Sequence, residues 1–169
     1  MTSTSTISAT LPSHLSTQQP PTASVGQLLV QTLTAVAADP EVWRPLVHFG
    51  PHERSRVRLQ GLAGLDLWLI CWRTFSTTEL HDHATSEGAF TVLEGALTEI
   101  RPIGDRLLPR KFISGLVHRV EAGQVHDVRN EQSTPAISLH AYTPRLEVQN
   151  FYDWRDGTIH HQRTEIEPC

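Results

Sequence analysis

Apolar positions recur along this chain with two different periods, and the change of period divides it. Val25, Leu28, Leu29, Leu33, Val36 and Ala37 fall at helical spacing, which predicts an amphipathic helix over residues 25–38. Asp39-Pro40 follows as N-cap and first helical residue of a short second helix through Trp43, and Gly50-Pro51 breaks it. From about Arg54 onward the runs become short, apolar or alternating. Leu65–Trp72, Ala89–Leu93, Ala96–Arg101, Leu107–Ile113, Val117–Val120, Val125–Val128, Ala136–Tyr142 and Val148–Trp154 are the predicted strands. Between them stand Glu94-Gly95, Gly104-Asp105, Ser114-Gly115, Ala122-Gly123 and Ser133-Thr134-Pro135, all turn chemistry. Short strands at about ten-residue spacing, with no βαβ alternation and no repeat, indicate a sandwich or barrel with the helices packed on a sheet.

Residues 1–23 are rich in Ser, Thr and Pro and carry little to bury, so a disordered tail is expected there. The first lysine or arginine is Arg44, so the stretch lacks the positive region of a secretory signal and the Arg-rich face of a transit peptide. The expected organisation is one domain over residues 24–155, preceded by that tail and followed by a C-terminal tail over 156–169. A chain of 169 residues suits a single domain. The formal charge of −4, with scattered arginines and Lys111 as the sole lysine, argues against a nucleic-acid partner. No apolar run reaches the ~20 residues that span a bilayer. Two cysteines, Cys71 and Cys169, make no disulfide framework, and a reducing cytosol is the expected location. The oligomeric state is open, with a monomer favoured.

The candidate chemistry starts at His81-Asp82-His83. Histidines at i and i+2 of a strand point to one face. With a third from another strand they give three neutral nitrogen ligands and leave metal positions open. Gly88 and Gly95 follow the pair; Gly115, Gly123, His126 and Asn130 lie downstream. This spacing resembles the two motifs of the cupin superfamily, small double-sheet β-barrels (jelly rolls) with a central metal. His81, His83 and Gly95 fit the first motif, but its glutamate position holds Gly88. Gly115, Gly123, His126 and Asn130 fit the second, with Glu121 where proline is usual. Glu87 cannot substitute, because a one-residue shift on a strand reverses the face. The expectation is a mainly β cupin barrel with a short N-terminal helical cap, and a three-histidine site without a carboxylate.

A narrower resemblance joins H-D-H-A-T-S-E-G-A-F-T-V-L-E-G-A-L-T-E to V-H-D-V-R-N and P-A-I-S-L-H-A-Y-T-P. Over residues 54–154 the chain resembles the cysteine dioxygenase family, bacterial type, of thiol dioxygenases. The resemblance implies Fe(2+) held by His81, His83 and His126. It also implies a Ser138, His140 and Tyr142 relay, and a reaction that adds both atoms of O₂ to cysteine to give cysteine sulfinic acid. Independently, Ser138, His140 and Tyr142 share one face of a strand through 136–142, and such a polar ladder is costly inside a barrel unless it is hydrogen-bonded. Animal members carry a cysteine at the Gly88 position that forms a thioether with the tyrosine; Gly88 excludes it here.

In cysteine-specific members an arginine on the strand before the metal pair grips the substrate carboxylate. Arg54, Arg56 and Arg58 stand at i, i+2 and i+4, and a guanidinium can hold a carboxylate with two parallel hydrogen bonds. Counting back from His81 favours Arg56 without a gap and Arg58 with a small one. Three imidazoles also suit zinc, copper or nickel. The alternatives are a dioxygenase for another small thiol such as 3-mercaptopropionate, a non-oxidative metal cupin (isomerase or hydrolase), and a non-catalytic binding cupin. His118 is a candidate support for the second motif or a packing residue, and His160-His161 is expected to be solvated.

Overall fold

The computed structural model describes residues 5–12, 24–60 and 64–167. Helices α1 (Val25–Ala37) and α2 (Pro40–Trp43) match the helical pattern. Ser24 starts α1 with a capping box: its hydroxyl accepts from the Gln27 N–H while the Gln27 side chain accepts from the Ser24 N–H. The strands are β1 (Ser5–Thr10), β2 (Arg54–Gln60), β3 (Asp66–Trp72), β4 (Ser76–Thr77), β5 (Leu80–Asp82), β6 (Glu87–Glu94) and β7 (Ala96–Ile103). They continue with β8 (Arg106–Ile113), β9 (Val117–Val120), β10 (Asp127–Asn130), β11 (Ala136–Thr143), β12 (Val148–Arg155) and β13 (Thr158–Ile166).

One sheet runs β1-β2-β3-β11-β6-β9, a second β4-β10-β7-β8, and a third β13-β12-β5. The first sheet separates two apolar cores, and the two-residue period of its strands sorts side chains between them. Leu67, Leu69, Leu139 and Ala141 turn outward to meet Leu29, Leu33 and Val36 of α1. Trp68, Ile70 and Trp72 turn inward with Phe90 and Val92, against Leu97, Phe112 and Val128 of the second sheet. Burying each α1 leucine is worth about 1.5–3 kcal/mol, so this face is what fixes the helix to the barrel. At the β6–β7 turn Gly95 has φ +79°, and a Cβ there would lie 2.9 Å from the Pro135 carbonyl; only glycine suits that approach.

Both expected tails contain structure. Ser5–Thr10 pairs in parallel with β2, from Ser5↔Ser55 to Thr10↔Gln60. The Ser/Thr content concealed it, although β-branched Thr6, Ile7 and Thr10 favour an extended chain. Residues 1–4 and 13–23 lie outside the described residues. At the other end β12 and β13 form a hairpin through Asp156-Gly157, both with positive φ. Asp-Gly is a strong hairpin signal. β13 is so exposed, however, that no apolar alternation flags it.

Candidate metal centre

His81 sits on β5, His83 one residue beyond it, and His126 one residue before β10. A two-residue antiparallel bridge joins two of them: His81 N–H donates to His126 O at 2.8 Å and His126 N–H to His81 O at 2.9 Å. The intervening Asp82 points the other way, where it accepts from Ala84 N–H, Asn150 Nδ2 and the Tyr152 hydroxyl at 2.8, 2.9 and 2.6 Å. That anchor fixes the stretch from which both histidines project. The three rings are buried. His83 Nε2 lies 3.2 Å from His81 Nε2 and 3.4 Å from His126 Nε2.

Proton placement shows what the cluster suits. His81 Nδ1–H donates to the Glu79 carbonyl at 3.0 Å, which leaves its Nε2 as a lone pair. His126 Nδ1–H donates to Glu99 Oε1 at 2.8 Å, which leaves its Nε2 as a second lone pair. Burial first, then the neighbouring histidines, hold His81 and His83 well below the usual histidine range, so protonation cannot relieve the crowding of lone pairs. A cation accepting all three nitrogens does relieve it. The donor set therefore fits a metal ion. Among the described residues this convergent group consists of histidines alone. Glu87 turns away to Arg119, and Gly88 leaves the glutamate position of the motif without a side chain.

On β11, Ser138 Oγ lies 2.9 Å from His140 Nε2 and accepts from Trp72 Nε1 at 2.8 Å. The Tyr142 hydroxyl is 3.5 Å from His140 Nδ1, the long limit of a hydrogen bond. Burial, then His126 and Arg54, bring His140 down to about 3, so the ring is neutral. Burial pushes the Tyr142 phenol above its ordinary value, so it keeps its proton. With Ser138 donating to Nε2, His140 Nδ1–H faces the Tyr142 oxygen and frees the phenolic proton for the cavity.

The cavity beside these groups is lined by Arg54, Arg56, Trp68, His81, His126 and Tyr142, among others. The three arginines of β2 do share a face: Arg54 lies over Trp72, and Arg56 and Arg58 over Trp68. Only the first two line the cavity. Arg58, expected as a candidate for the substrate carboxylate, instead donates from Nε to buried Asp66 at 2.6 Å and is not among the lining residues. Arg56 pairs with Glu167 at 2.8 Å.

Sequence reasoning missed Glu99, a buried carboxylate within an apolar strand. It also missed the C-terminal strand that brings Glu165 and Glu167 to the cavity. His118 lies 3.0 Å from Glu99 Oε2, one step removed from His126. Asn130 is fully buried and donates to the Arg73 and Thr134 carbonyls, a loop-fastening role. His160 and His161 are exposed on β13.

The double-sheet barrel with histidines at its heart is a cupin. Its fold is similar to the cupin domain of Schizosaccharomyces pombe Cnp3, with TM-score 0.52, 10% identity, and 62% of this chain and 73% of that one covered. The profile of cysteine dioxygenase type I matches residues 2–106, more than half of the chain, and the chain belongs to that family. Cysteine dioxygenase type 1 of Danio rerio is 23% identical over 143 residues, covering 76% of this chain and 69% of the relative. That of Rattus norvegicus is 26% identical over 136 residues, covering 74% and 68%. The protein is therefore an enzyme of a family of non-haem iron oxidoreductases, a cupin thiol dioxygenase by class. No helix among the described residues is long and apolar enough to cross a membrane.

Proposed function

We propose that this enzyme uses iron(II) and O₂ to oxidise L-cysteine to cysteine sulfinic acid. The observation that carries the proposal is the convergence of three buried imidazole nitrogens, without a carboxylate, beside the Ser138–His140–Tyr142 ladder. Iron(II), when bound by Nε2 of His81, His83 and His126, supplies the oxygen chemistry and the positions for a thiolate and an amine.

The chain's own groups supply orientation. A guanidinium of β2, Arg54 or Arg56, holds the carboxylate of the substrate at the cavity wall. Tyr142 donates its phenolic hydrogen toward the reacting atoms, and Ser138 fixes the His140 ring that sets the direction of that hydrogen. Trp68, Ile70 and Phe151 line the same cavity and limit its water. A cytosolic setting belongs to the proposal, supported by Cys71, which is buried and unpaired.

The test is metal analysis of the purified protein followed by mass spectrometry of cysteine after aerobic incubation. The expected result is bound iron and a product heavier by two oxygen atoms, absent with His126→Ala. Unchanged cysteine in the presence of bound iron overturns the proposal. Equal turnover of 3-mercaptopropionate removes the assignment of cysteine in particular.

A further inference from the structure

The three-stranded sheet carries a row of side chains that ends on the metal centre, and its meaning rests on the iron dioxygenase reading. Arg163 of β13 stands directly opposite Phe151 of β12, and Phe151 directly opposite His81 of β5. Residues in register on neighbouring strands share a face, so the three side chains lie side by side, and all three line the cavity. The Arg163 guanidinium sits over the Phe151 ring, its carbon 4.0 Å from the ring centre. The buried Phe151 ring stacks in turn on the His81 imidazole, with centroids 5.8 Å apart and planes inclined by 27°.

Arg163 reaches the same histidine by a second route. Its Nη2 donates to Glu79 Oε2 at 2.6 Å, while its Nε donates to Glu165 Oε1 at 2.7 Å. Glu79 is the residue whose carbonyl accepts the His81 Nδ1–H. Its φ is +67°, in the left-handed region that disfavours a side chain, so other contacts must impose the direction of that carbonyl. The Glu79 N–H is tied to the Thr77 hydroxyl at 3.1 Å, and the side chain is tied to Arg163. Such holding matters more at His81 than at His126. An ionised carboxylate fixes the His126 ring, whereas His81 has a neutral carbonyl, about half as strong a partner.

We infer that Arg163 is a positioning residue of the metal centre. From β13 it fixes the plane of the His81 ring through Phe151 and the rotation of that ring through Glu79, and so aims His81 Nε2 before an ion arrives. It supplies no ligand itself and acts through these two neighbours. The Arg163 and Glu79 side chains are 39% and 43% exposed, and an ion pair so open to solvent adds little to the stability of the fold. Its effect therefore belongs in iron affinity rather than in unfolding.

The test is the iron(II) affinity of the full chain without substrate, measured by competition with a chelator, together with nitrogen NMR of the histidine rings in metal-free protein. Arg163→Gln should weaken iron binding about tenfold, the lower end of the scale for a group that orients a ligand. The His81 Nδ1–H signal, identified by its absence in His81→Gln, should be sharp in the wild type and broadened by solvent exchange in Arg163→Gln. Arg163→Lys keeps a cation over Phe151 and beside Glu79, so it should bind iron more tightly than Arg163→Gln. Glu79→Gln should also weaken binding, and serves if Arg163→Gln folds poorly. Glu167→Gln breaks the other ion pair that ties this hairpin down, the one with Arg56, and should leave iron affinity at the wild-type level. Wild-type affinity in Arg163→Gln or Glu79→Gln overturns the inference. So does an unchanged His81 signal, a lysine variant no better than glutamine, or an equal loss in Glu167→Gln, which would signify general loosening of the hairpin. Wild-type protein that binds no iron overturns the iron dioxygenase reading itself, and this inference with it.

Discussion

Glu99 accepts the Nδ1–H of His126 at 2.8 Å, on the side of the ring away from the other two histidines. Burial alone would raise this carboxyl. The contacts with His118 and His126 and the ion pair with Arg101 outweigh burial and hold it below the ordinary carboxylate range. An ionised acceptor on Nδ1 fixes the tautomer and increases the basicity of Nε2. Glu99→Gln should therefore weaken iron binding about 10–100-fold while leaving the fold intact, read by competition with a chelator. Wild-type affinity in that variant would reduce Glu99 to a packing residue.

Tyr142→Phe separates orientation from metal binding. The hydroxyl contacts His140 and faces the cavity, and none of the three Nε2 atoms depends on it. Iron content should stay at the wild-type level while turnover falls about 100-fold, the usual scale for losing a positioned proton donor. Because burial raises the phenol, wild-type turnover should show no loss attributable to tyrosinate below its ordinary 10.0. A full-rate phenylalanine variant would remove Tyr142 from the proposed machinery.

Gly88 marks the edge of the same site. A Cβ there would stand 3.2 Å from Cδ1 and Cε1 of Tyr142 and 3.4 Å from His83 Nδ1, so the ring must yield slightly. Gly88→Ala should cost about 1 kcal/mol of stability, measured by urea denaturation. Gly88→Cys places a thiol against the ring carbons. In iron-loaded protein exposed to O₂, the sulfur should join the tyrosine ring with loss of two hydrogen atoms, taken up by O₂. Intact-mass and peptide spectra without that linkage would show that proximity alone does not suffice.

Acid should destabilise the metal-free protein. His140 is held down to about 3 in the fold, by burial and then by His126 and Arg54, against 6.5 when exposed. The unfolded chain therefore takes up a proton that the fold refuses. The stability this gives is complete above 6.5 and is lost as pH falls from there toward about 3. The slope is about 1.4 kcal/mol per pH unit for each such histidine. His81 and His83 act in the same direction. Denaturant midpoints that stay flat from about pH 7.5 to about pH 5 would contradict this linkage.

The features legible in the sequence are those set by local geometry. The i, i+2 spacing of His81 with His83, and of Ser138, His140 and Tyr142, needs only the two-residue repeat of a strand to place those side chains together. The apolar stripe of α1 needs only the helical repeat. The features that stayed hidden depend on distant partners. The Glu167 contact with Arg56 spans 111 residues, and the strand that delivers it is exposed on both faces. Glu99 is legible only as an odd charge within A-L-T-E-I, because its burial is licensed by Arg101 and His118. Which arginines of β2 are already engaged depends on folded contacts, Arg56 with Glu167 and Arg58 with Asp66, and the local spacing of the three does not reveal that.

The reciprocal main-chain bridge between His81 and His126 gives this protein an option that many small metalloproteins lack. Two corners of the coordination triangle are stitched together by peptide groups, independently of any ion. Chelation should then leave a vacant but correctly shaped receptacle, and restoring ferrous salt should revive the enzyme without a refolding step. Iron scarcity would silence such a catalyst reversibly, with the polypeptide kept in reserve.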